Sequence, residues 1–207
     1  MVEMFTVFLV DDEPAVVKAV SRLLRTRGYS VCAYTSSREF LAQHDPAIPG
    51  CALFDVSMPD LDGLELQQAM TGEGFGRPVI FMTGKGDVPT SVRAMKAGAI
   101  DFLTKPVNDM EIFAALARAE KQDAHARQAQ TEKASIKGKI ATLTPRERQV
   151  LSHVVAGRLN KQIAGDLGTV EKTIKVHRSR IMQKMRARSL AELVRMAERL
   201  GIPGHTT

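Results

Sequence analysis

The sequence predicts an α/β domain, a doubly wound (βα)5 parallel sheet, followed by a smaller all-α domain. In the first half, β-rich apolar runs alternate with amphipathic runs at intervals of about twenty residues, as βα units do. After residue 140, apolar residues recur at helical spacing, with breaks at Gly157, Gly168 and Ser189. Charge divides the chain in the same way, with 11 basic and 16 acidic residues in 1–120 but 18 and 7 in 121–207.

The first half contains five predicted strands, each an apolar, β-rich run bounded in many places by Gly or Pro. They cover residues 5–10, 30–34, 51–55, 78–82 and 99–103. Amphipathic segments fill the gaps between them, and their helices are expected to begin near Pro14, Ser36, Gly63, Pro89 and Asn108. This order of elements favours a parallel sheet with helices on both faces.

We place the domain boundaries at residues 1–118, 119–140 and 141–207. The middle segment is rich in Ala, Gln and Lys and has no apolar stripe wide enough to bury, so it predicts a solvated helical linker, with flexibility near Gly138. The last segment predicts four short helices. Its basic surplus indicates that it meets a polyanion such as nucleic acid. The amino terminus, MVEMFTVFLVDDE, has the pattern of neither a signal peptide nor a membrane span, so a cytoplasmic protein without membrane partners is expected.

Polar residues follow four of the five predicted strands. Asp11 and Asp12 come after the first strand, and Asp55 ends the third. Thr83 follows the fourth strand and Lys105 the fifth. The carboxyl ends of parallel strands meet at one edge of the sheet, which is where open α/β folds bind ligands. Carboxylates, a hydroxyl and an ammonium together suit a small hard cation and a phosphoryl group, so the sequence predicts a phosphorylation switch.

Each of these residues also has an ordinary structural interpretation. Asp55 could simply open a turn, and Asp12 or Glu13 could cap the helix whose first turn contains Pro14. Lys105, Thr83 and Phe102 could be a solvated loop residue, a β-branched strand residue and a core residue. The recurrence of such residues at four strand ends favours a shared site over four separate coincidences.

Two known domain types resemble this chain. Residues 3 to about 120 resemble the receiver domain of two-component response regulators, and residues 141–201 resemble the LuxR/NarL-type helix-turn-helix effector domain. The stretch MTGKGDVPTSVRAMKAGAIDFLTKPV further resembles the FixJ-like subgroup. The resemblance implies a flavodoxin-like receiver followed by a four-helix LuxR-type domain.

For the receiver, the resemblance implies that Asp55 accepts a phosphoryl group from a sensor histidine kinase. It implies Mg²⁺ as the cofactor, held by Asp11, Asp12, Asp55 and the backbone carbonyl of Ser57. Lys105, across a cis bond to Pro106, would contact the phosphoryl oxygens. Thr83 and Phe102 would form the switch that follows phosphorylation.

Phosphorylation is expected to shift the population of receiver conformations, after which the receiver forms a homodimer. The resemblance places the dimer surface around the fourth helix and fifth strand. The residues expected there are Val88, Val92, Met95 and Lys96.

In the last domain, residues 160–185 predict a scaffold helix, a turn at Gly168 and a recognition helix. By resemblance, Lys175, Val176 and Ser179 face DNA bases. Residues expected at the DNA backbone or on the outward basic face are Lys172, Thr173, His177, Arg178 and Arg180. Alternatively, the basic helix is only a solvated surface. Val170 departs from the family pattern of Ser or Thr at the helix cap, so either Thr169 or Glu171 compensates or the recognition helix begins less firmly by about 1 kcal/mol.

Taken together, these observations predict a phosphorylation-activated response regulator that binds promoter DNA and activates transcription by RNA polymerase. No enzymatic activity is expected beyond phosphorylation and dephosphorylation of Asp55 itself. One alternative is a phosphotransfer sink or kinase-binding module whose DNA binding is weak or unused. A second is constitutive DNA binding with a vestigial receiver, which the complete set of strand-end residues disfavours.

Overall fold

The structure is a computed structural model that describes residues 4–72, 76–84 and 88–202. It contains two compact units, Met1–Arg127 and Gln128–Thr207. Residues 203–207 of the predicted last domain lie outside the described residues. None of the described helices has the length and apolar character that crossing a bilayer requires.

A five-stranded parallel sheet organises the first unit, with strand order β2-β1-β3-β4-β5. The strands are β1 Thr6–Val10, β2 Ser30–Tyr34, β3 Gly50–Asp55, β4 Val79–Thr83 and β5 Asp101–Thr104. The order reverses between β1 and β3, so the fold is doubly wound and the predicted fold class is confirmed.

Helices cover both faces of this sheet. They are α1 Pro14–Thr26, α2 Ser37–Gln43, α3 Gly63–Gly72, α4 Val88–Lys96 and α5 Asp109–Ala141. Strand β1 shows why its run is apolar at every position from Val7 to Val10. Val7 and Leu9 join one buried cluster with α1 and α5, whereas Phe8 and Val10 join another with α2, α3 and α4. A strand that is buried on both faces has no position for a polar side chain.

Helix α5 extends through the whole of the predicted linker, 119–140. The helical part of that prediction agrees with the structure, but the expected solvation does not hold at every position. Asp123 is buried in the first unit, and Ile136 is buried in the second. A polar segment can still bury single residues where a neighbouring unit offers a hydrogen-bond partner or an apolar contact.

Residues 128–202, the described part of the second unit, contain four short helices besides the end of α5. They are α6 Pro145–Val155, α7 Asn160–Asp166, α8 Glu171–Met185 and α9 Leu190–Arg199. Thr144 forms a capping box with Glu147 at the start of α6, and Ser189 caps α9 by accepting a hydrogen bond from the Glu192 amide. The turn between α7 and α8 contains Gly168, whose φ of +62° is readily adopted by glycine. Helices α7 and α8 therefore form the predicted helix-turn-helix.

Candidate functional site

The predicted strand-end residues all lie at the carboxyl edge of the sheet. Asp55 and Thr83 are the last residues of β3 and β4, and Asp11 follows β1 directly. Lys105 follows β5, where Thr104 pairs with Thr83. The parallel register brings these positions together from segments far apart in the chain.

Lys105 links the acidic residues at this edge. Its Nζ lies 2.6 Å from Oδ2 of Asp11 and 3.0 Å from Oδ1 of Asp55. Oε1 of Glu13 is farther from it, at 3.7 Å. The bond between Lys105 and Pro106 is cis, as the resemblance implied. One ammonium thus bridges two buried carboxylates.

Three carboxylates form a cluster beside this ammonium. Oxygens of Asp11, Asp12 and Asp55 lie within 4.8 Å of one another. Backbone amides orient two of these groups: Glu13 N–H donates to Oδ1 of Asp11 at 3.0 Å, and Ser57 N–H donates to Oδ2 of Asp55 at 3.1 Å. Several oxygen donors held so close together are the ligand type that Mg²⁺ prefers.

Burial and charge oppose each other at the bridging pair. Burial raises the pKa of Asp55, and the Lys105 ammonium only partly offsets this. Burial also disfavours the charged form of Lys105, but its hydrogen bonds to Asp11 and Asp55 outweigh that cost and raise its pKa. The lysine therefore stays protonated at neutral pH, and Asp55 ionises less readily than a surface aspartate.

The two predicted switch residues lie next to the cluster in the fold. Thr83 is buried at the end of β4. Phe102, on β5, is half-buried, and its ring centroid lies 6.5 Å from that of Phe81 in the core. Phe102 thus contacts the core without being enclosed by it.

The predicted dimer residues form an exposed apolar face of α4. Val88, Val92 and Met95 are 74%, 44% and 49% exposed, and Lys96 is also exposed. Their spacing places the three apolar side chains on one side of the helix. Exposed apolar residues in such a row are typical of a surface that another protein covers.

In the second unit, α8 buries one face and exposes the other. Ile174, Ile181 and Met185 are buried. The exposed residues among those predicted to bind DNA are Lys172, Lys175, Val176, Ser179 and Arg180. The remaining three, Thr173, His177 and Arg178, are half-buried. All three residues predicted to face bases are therefore accessible.

The start of α8 has no side-chain cap. Val170 occupies the N-cap position and makes no side-chain hydrogen bond, although its carbonyl accepts from the Thr173 amide at 3.0 Å. Glu171 pairs with Lys175 one turn later, at 3.1 Å. The helix begins at the predicted residue, so the missing cap leaves its register intact.

Sequence reasoning missed the group that fixes the far end of α8. Lys184 Nζ lies 2.7 Å from Oε2 of the buried Glu147, and the same oxygen accepts from the Thr144 amide at 2.8 Å. These contacts lower the pKa of Glu147, through Lys184 first and the Thr144 amide second. The spacing of Thr144 and Glu147 is a capping-box pattern that could have revealed the first half of this network.

The fold and the acidic edge define a receiver domain, and the second unit is a helix-turn-helix domain. The family described as "Response regulator receiver domain" matches residues 7–117, and "Bacterial regulatory proteins, luxR family" matches residues 141–197. The chain therefore belongs to the two-component response regulators that join a receiver to a LuxR-family helix-turn-helix domain. It is a DNA-binding regulator of transcription rather than a member of a recognised enzyme family.

Several relatives are similar to this chain over nearly its full length. Nodulation protein W of Bradyrhizobium diazoefficiens is 43% identical over 201 residues, which are 97% of this chain and 88% of that protein. Transcriptional regulatory protein FixJ of Azorhizobium caulinodans is 43% identical over 202 residues, 98% of this chain and 96% of that one. The structure of response regulator StyR matches with a TM-score of 0.81 and 42% identity, over 94% of this chain and 98% of that chain. These similarities confirm the predicted family.

Proposed function

We propose that this response regulator is activated when Asp55 accepts a phosphoryl group from a sensor histidine kinase. The observation that carries the proposal is the position of Lys105, with one ammonium 3.0 Å from Asp55 and 2.6 Å from Asp11 at the ligand-binding edge of the sheet. A lysine that bridges two buried carboxylates is placed to receive the charge of an incoming phosphoryl group.

In the transfer, a carboxylate oxygen of Asp55 attacks phosphorus. A new O–P bond forms as the N–P bond of the donor phosphohistidine breaks, and the electron pair of that bond returns to the imidazole nitrogen. The hydrogen bond from the Ser57 amide holds the Asp55 carboxylate in place during attack. Lys105 then pairs with the phosphoryl oxygens. Hydrolysis of the same acyl phosphate by water returns Asp55 to its starting state.

The acidic cluster fits Mg²⁺. Its donors are all oxygens, and those of Asp11, Asp12 and Asp55 are close enough together to share one ion. We assign the Mg²⁺ site to these three carboxylates and the backbone carbonyl of Ser57. When bound, the ion neutralises charge on the phosphoryl oxygens.

Phosphorylation is proposed to draw Thr83 toward Asp55 and let Phe102 turn inward. The surface around α4 would change shape, and two receivers would then pair. The exposed row of Val88, Val92 and Met95, with Lys96 at its end, supports this site of homodimerisation. The pairing would place two helix-turn-helix domains on two DNA half-sites.

On DNA, we assign base contacts to Lys175, Val176 and Ser179, which are exposed along α8. Phosphate contacts are assigned to Lys172, Thr173, His177, Arg178 and Arg180. Arg178 also donates to Oδ1 of Asn160 at 2.9 Å, which would hold its guanidinium in place beside the DNA backbone. Promoter binding would bring RNA polymerase to the regulated genes, in the cytoplasm where the DNA lies.

The test is selection of DNA from a genomic fragment pool by the full chain, with and without acetyl phosphate and Mg²⁺. Wild type is compared with Asp55→Asn and with Asp45→Asn, which makes the same change at an exposed position near the opposite end of the sheet. Acetyl phosphate should tighten binding by wild type and by Asp45→Asn but not by Asp55→Asn. Binding that ignores the phosphodonor in all three would favour the phosphotransfer sink instead.

A further inference from the structure

Two residues of α5 hold the predicted linker against the receiver. Asp123 and Arg127, here called the linker clamp, are one helical turn apart, and Arg127 Nε lies 2.9 Å from Oδ2 of Asp123. Arg127 also donates to three successive carbonyls of the loop before β3. Its distances to the oxygens of Pro46, Ala47 and Ile48 are 3.2, 2.7 and 2.6 Å. One guanidinium thus uses its fork of donors to join a helix to a loop about 80 residues away.

Asp123 extends the clamp to the sheet itself. It is only 5% exposed, and its Oδ2 accepts a hydrogen bond from the Gly50 amide at 3.3 Å. Gly50 is the first residue of β3, and a side chain there would collide with the Thr6 carbonyl. A buried carboxylate needs hydrogen-bonding partners, and here Arg127 and the Gly50 amide supply them.

Strand β3 connects the clamp with the acidic edge. Gly50 begins this strand and Asp55 ends it, so the two sites lie at opposite ends of one six-residue element. On one side of the sheet, five aromatic rings form a row that begins at the switch residue Phe102. The centroids of neighbouring rings in this row are 5.2 to 6.5 Å apart. The row is Phe102, Phe81, Phe54, Phe40 and Phe8.

Arg77 ends this aromatic row. Its guanidinium lies 4.0 Å above the Phe8 ring, and its Nη2 donates to the Asp45 carbonyl at 2.9 Å. Burial lowers the pKa of Arg77, and the charge of Asp123 opposes that effect. Arg77 therefore interacts with the aromatic row through the Phe8 ring and with the clamp through the charge of Asp123. Closely packed interiors pass small shifts along such contacts because they deform little.

We propose that the linker clamp is the positioning element through which the phosphorylation state of Asp55 reaches the helix-turn-helix domain. The inference rests on the proposed function. Helix α5 continues past Arg127 and ends at Ala141, in the second unit, so its position on the receiver is what the clamp sets. Neither clamp residue contacts the phosphoryl group, and both act by fixing the position of α5 on the receiver.

The test compares wild type with Arg127→Gln in the full chain. The matched control is Lys121→Gln, which removes the same charge from an exposed position of the same helix. The probe is the DNA fragment that wild type selects in the presence of acetyl phosphate. The coupling ratio is its Kd without the phosphodonor divided by its Kd with it. Such ratios are typically about 5 to 150. We expect Arg127→Gln to bring the ratio close to one and Lys121→Gln to leave it unchanged.

Two further readouts separate coupling from simple structural damage. Phosphorylation of Asp55 by acetyl phosphate should proceed at the wild-type rate in Arg127→Gln, because the clamp lies at the other end of β3. Hydrogen exchange at the Gly50 amide should become faster, since its acceptor Asp123 is no longer held. If Arg127→Gln does not fold, Arg127→Lys decides, since it keeps the charge but has only three donors for the four acceptors that Arg127 bonds; its ratio should then fall below that of wild type.

A wild-type coupling ratio in Arg127→Gln, with faster exchange at Gly50, would show that the clamp is structural only and overturn the inference. Slow phosphorylation of Asp55 in this variant would also overturn it, because the defect would then lie in the acidic site. A coupling ratio of one in the wild-type protein itself has a different meaning. The proposed function itself would fail, and the role of the clamp would fall with it.

Discussion

Replacing Lys105 with Met should destabilise the receiver in a way that depends on pH. The variant removes an ammonium 2.6 Å from Asp11 and 3.0 Å from Asp55, from a side chain that is only 14% exposed. Removing one partner of a buried ion pair costs about 3–5 kcal/mol. The carboxylates can relieve part of that cost by taking up a proton, so we expect about 3 kcal/mol at pH 7.

The sign of the pH dependence follows from Asp55. Burial already raises its pKa, and without Lys105 the folded value rises further. A carboxyl whose folded pKa is raised destabilises the fold when it is ionised, at a pH above that value. The penalty of the variant should therefore be largest at neutral pH and shrink as the pH falls through the raised pKa.

Urea unfolding followed by tyrosine fluorescence measures the loss of stability in the first unit, which contains Lys105. The chain has two tyrosines and no tryptophan, and Tyr29 and Tyr34 both lie in the first unit. Lys18→Met, at an exposed position of α1, is the control and should be nearly neutral. A loss below about 1 kcal/mol at pH 7, or an equal loss at pH 5, would refute the view that Lys105 balances buried charge.

Three further predictions concern the second unit. Glu147→Gln should destabilise the second unit at pH 7 but not at low pH, because Lys184 lowers the pKa of Glu147 in the folded state. The stabilisation by this pair is present above the unfolded pKa of about 4.5 and is lost as the pH falls through the lower folded pKa. Circular dichroism melts at both pH values check this, and equal losses at the two would contradict it. Val170→Ser should stabilise α8 by about 1 kcal/mol in the same melts, because Val170 is its N-cap residue, and an unchanged melt would contradict this. In DNA-binding titrations, Lys175→Ala should relax sequence preference, whereas Arg180→Ala should weaken all fragments alike and reduce the salt slope by about 1. A uniform loss from Lys175→Ala would remove it from the base contacts.

The acidic edge could be predicted from sequence because its geometry depends on topology alone. Asp11, Asp55, Thr83 and Lys105 each lie at the end of an apolar run, and parallel strands bring such ends together whatever the side chains do. The strands themselves are recognisable because burial on both faces leaves runs with few polar positions, as in Val7–Val10 of β1. The local pattern and the global fold therefore carry the same information here.

The linker clamp could not be predicted in this way. Asp123 lies in a polar stretch, and its composition indicates a solvated helix. Its burial depends on the Gly50 amide, 73 residues earlier, and on the loop that Arg127 bonds. No periodicity in the sequence near Asp123 reports on these partners. The same is true of Lys184, whose contact with Glu147 joins residues 37 apart.

The linker makes two kinds of contact in each unit, and the difference between them bears on its function. Toward the receiver, Ala119 lies in an apolar cluster, and the clamp adds hydrogen bonds and an ion pair, which weaken steeply when distance or angle changes. In the second unit, Ile136 and Ile140 join an apolar cluster, whose attraction has no preferred direction, and Glu132 pairs with Arg199. A directional contact fixes one position of a helix, whereas an apolar contact tolerates small rotations. A change at the receiver is therefore best detected at its directional contacts, those of Asp123 and Arg127.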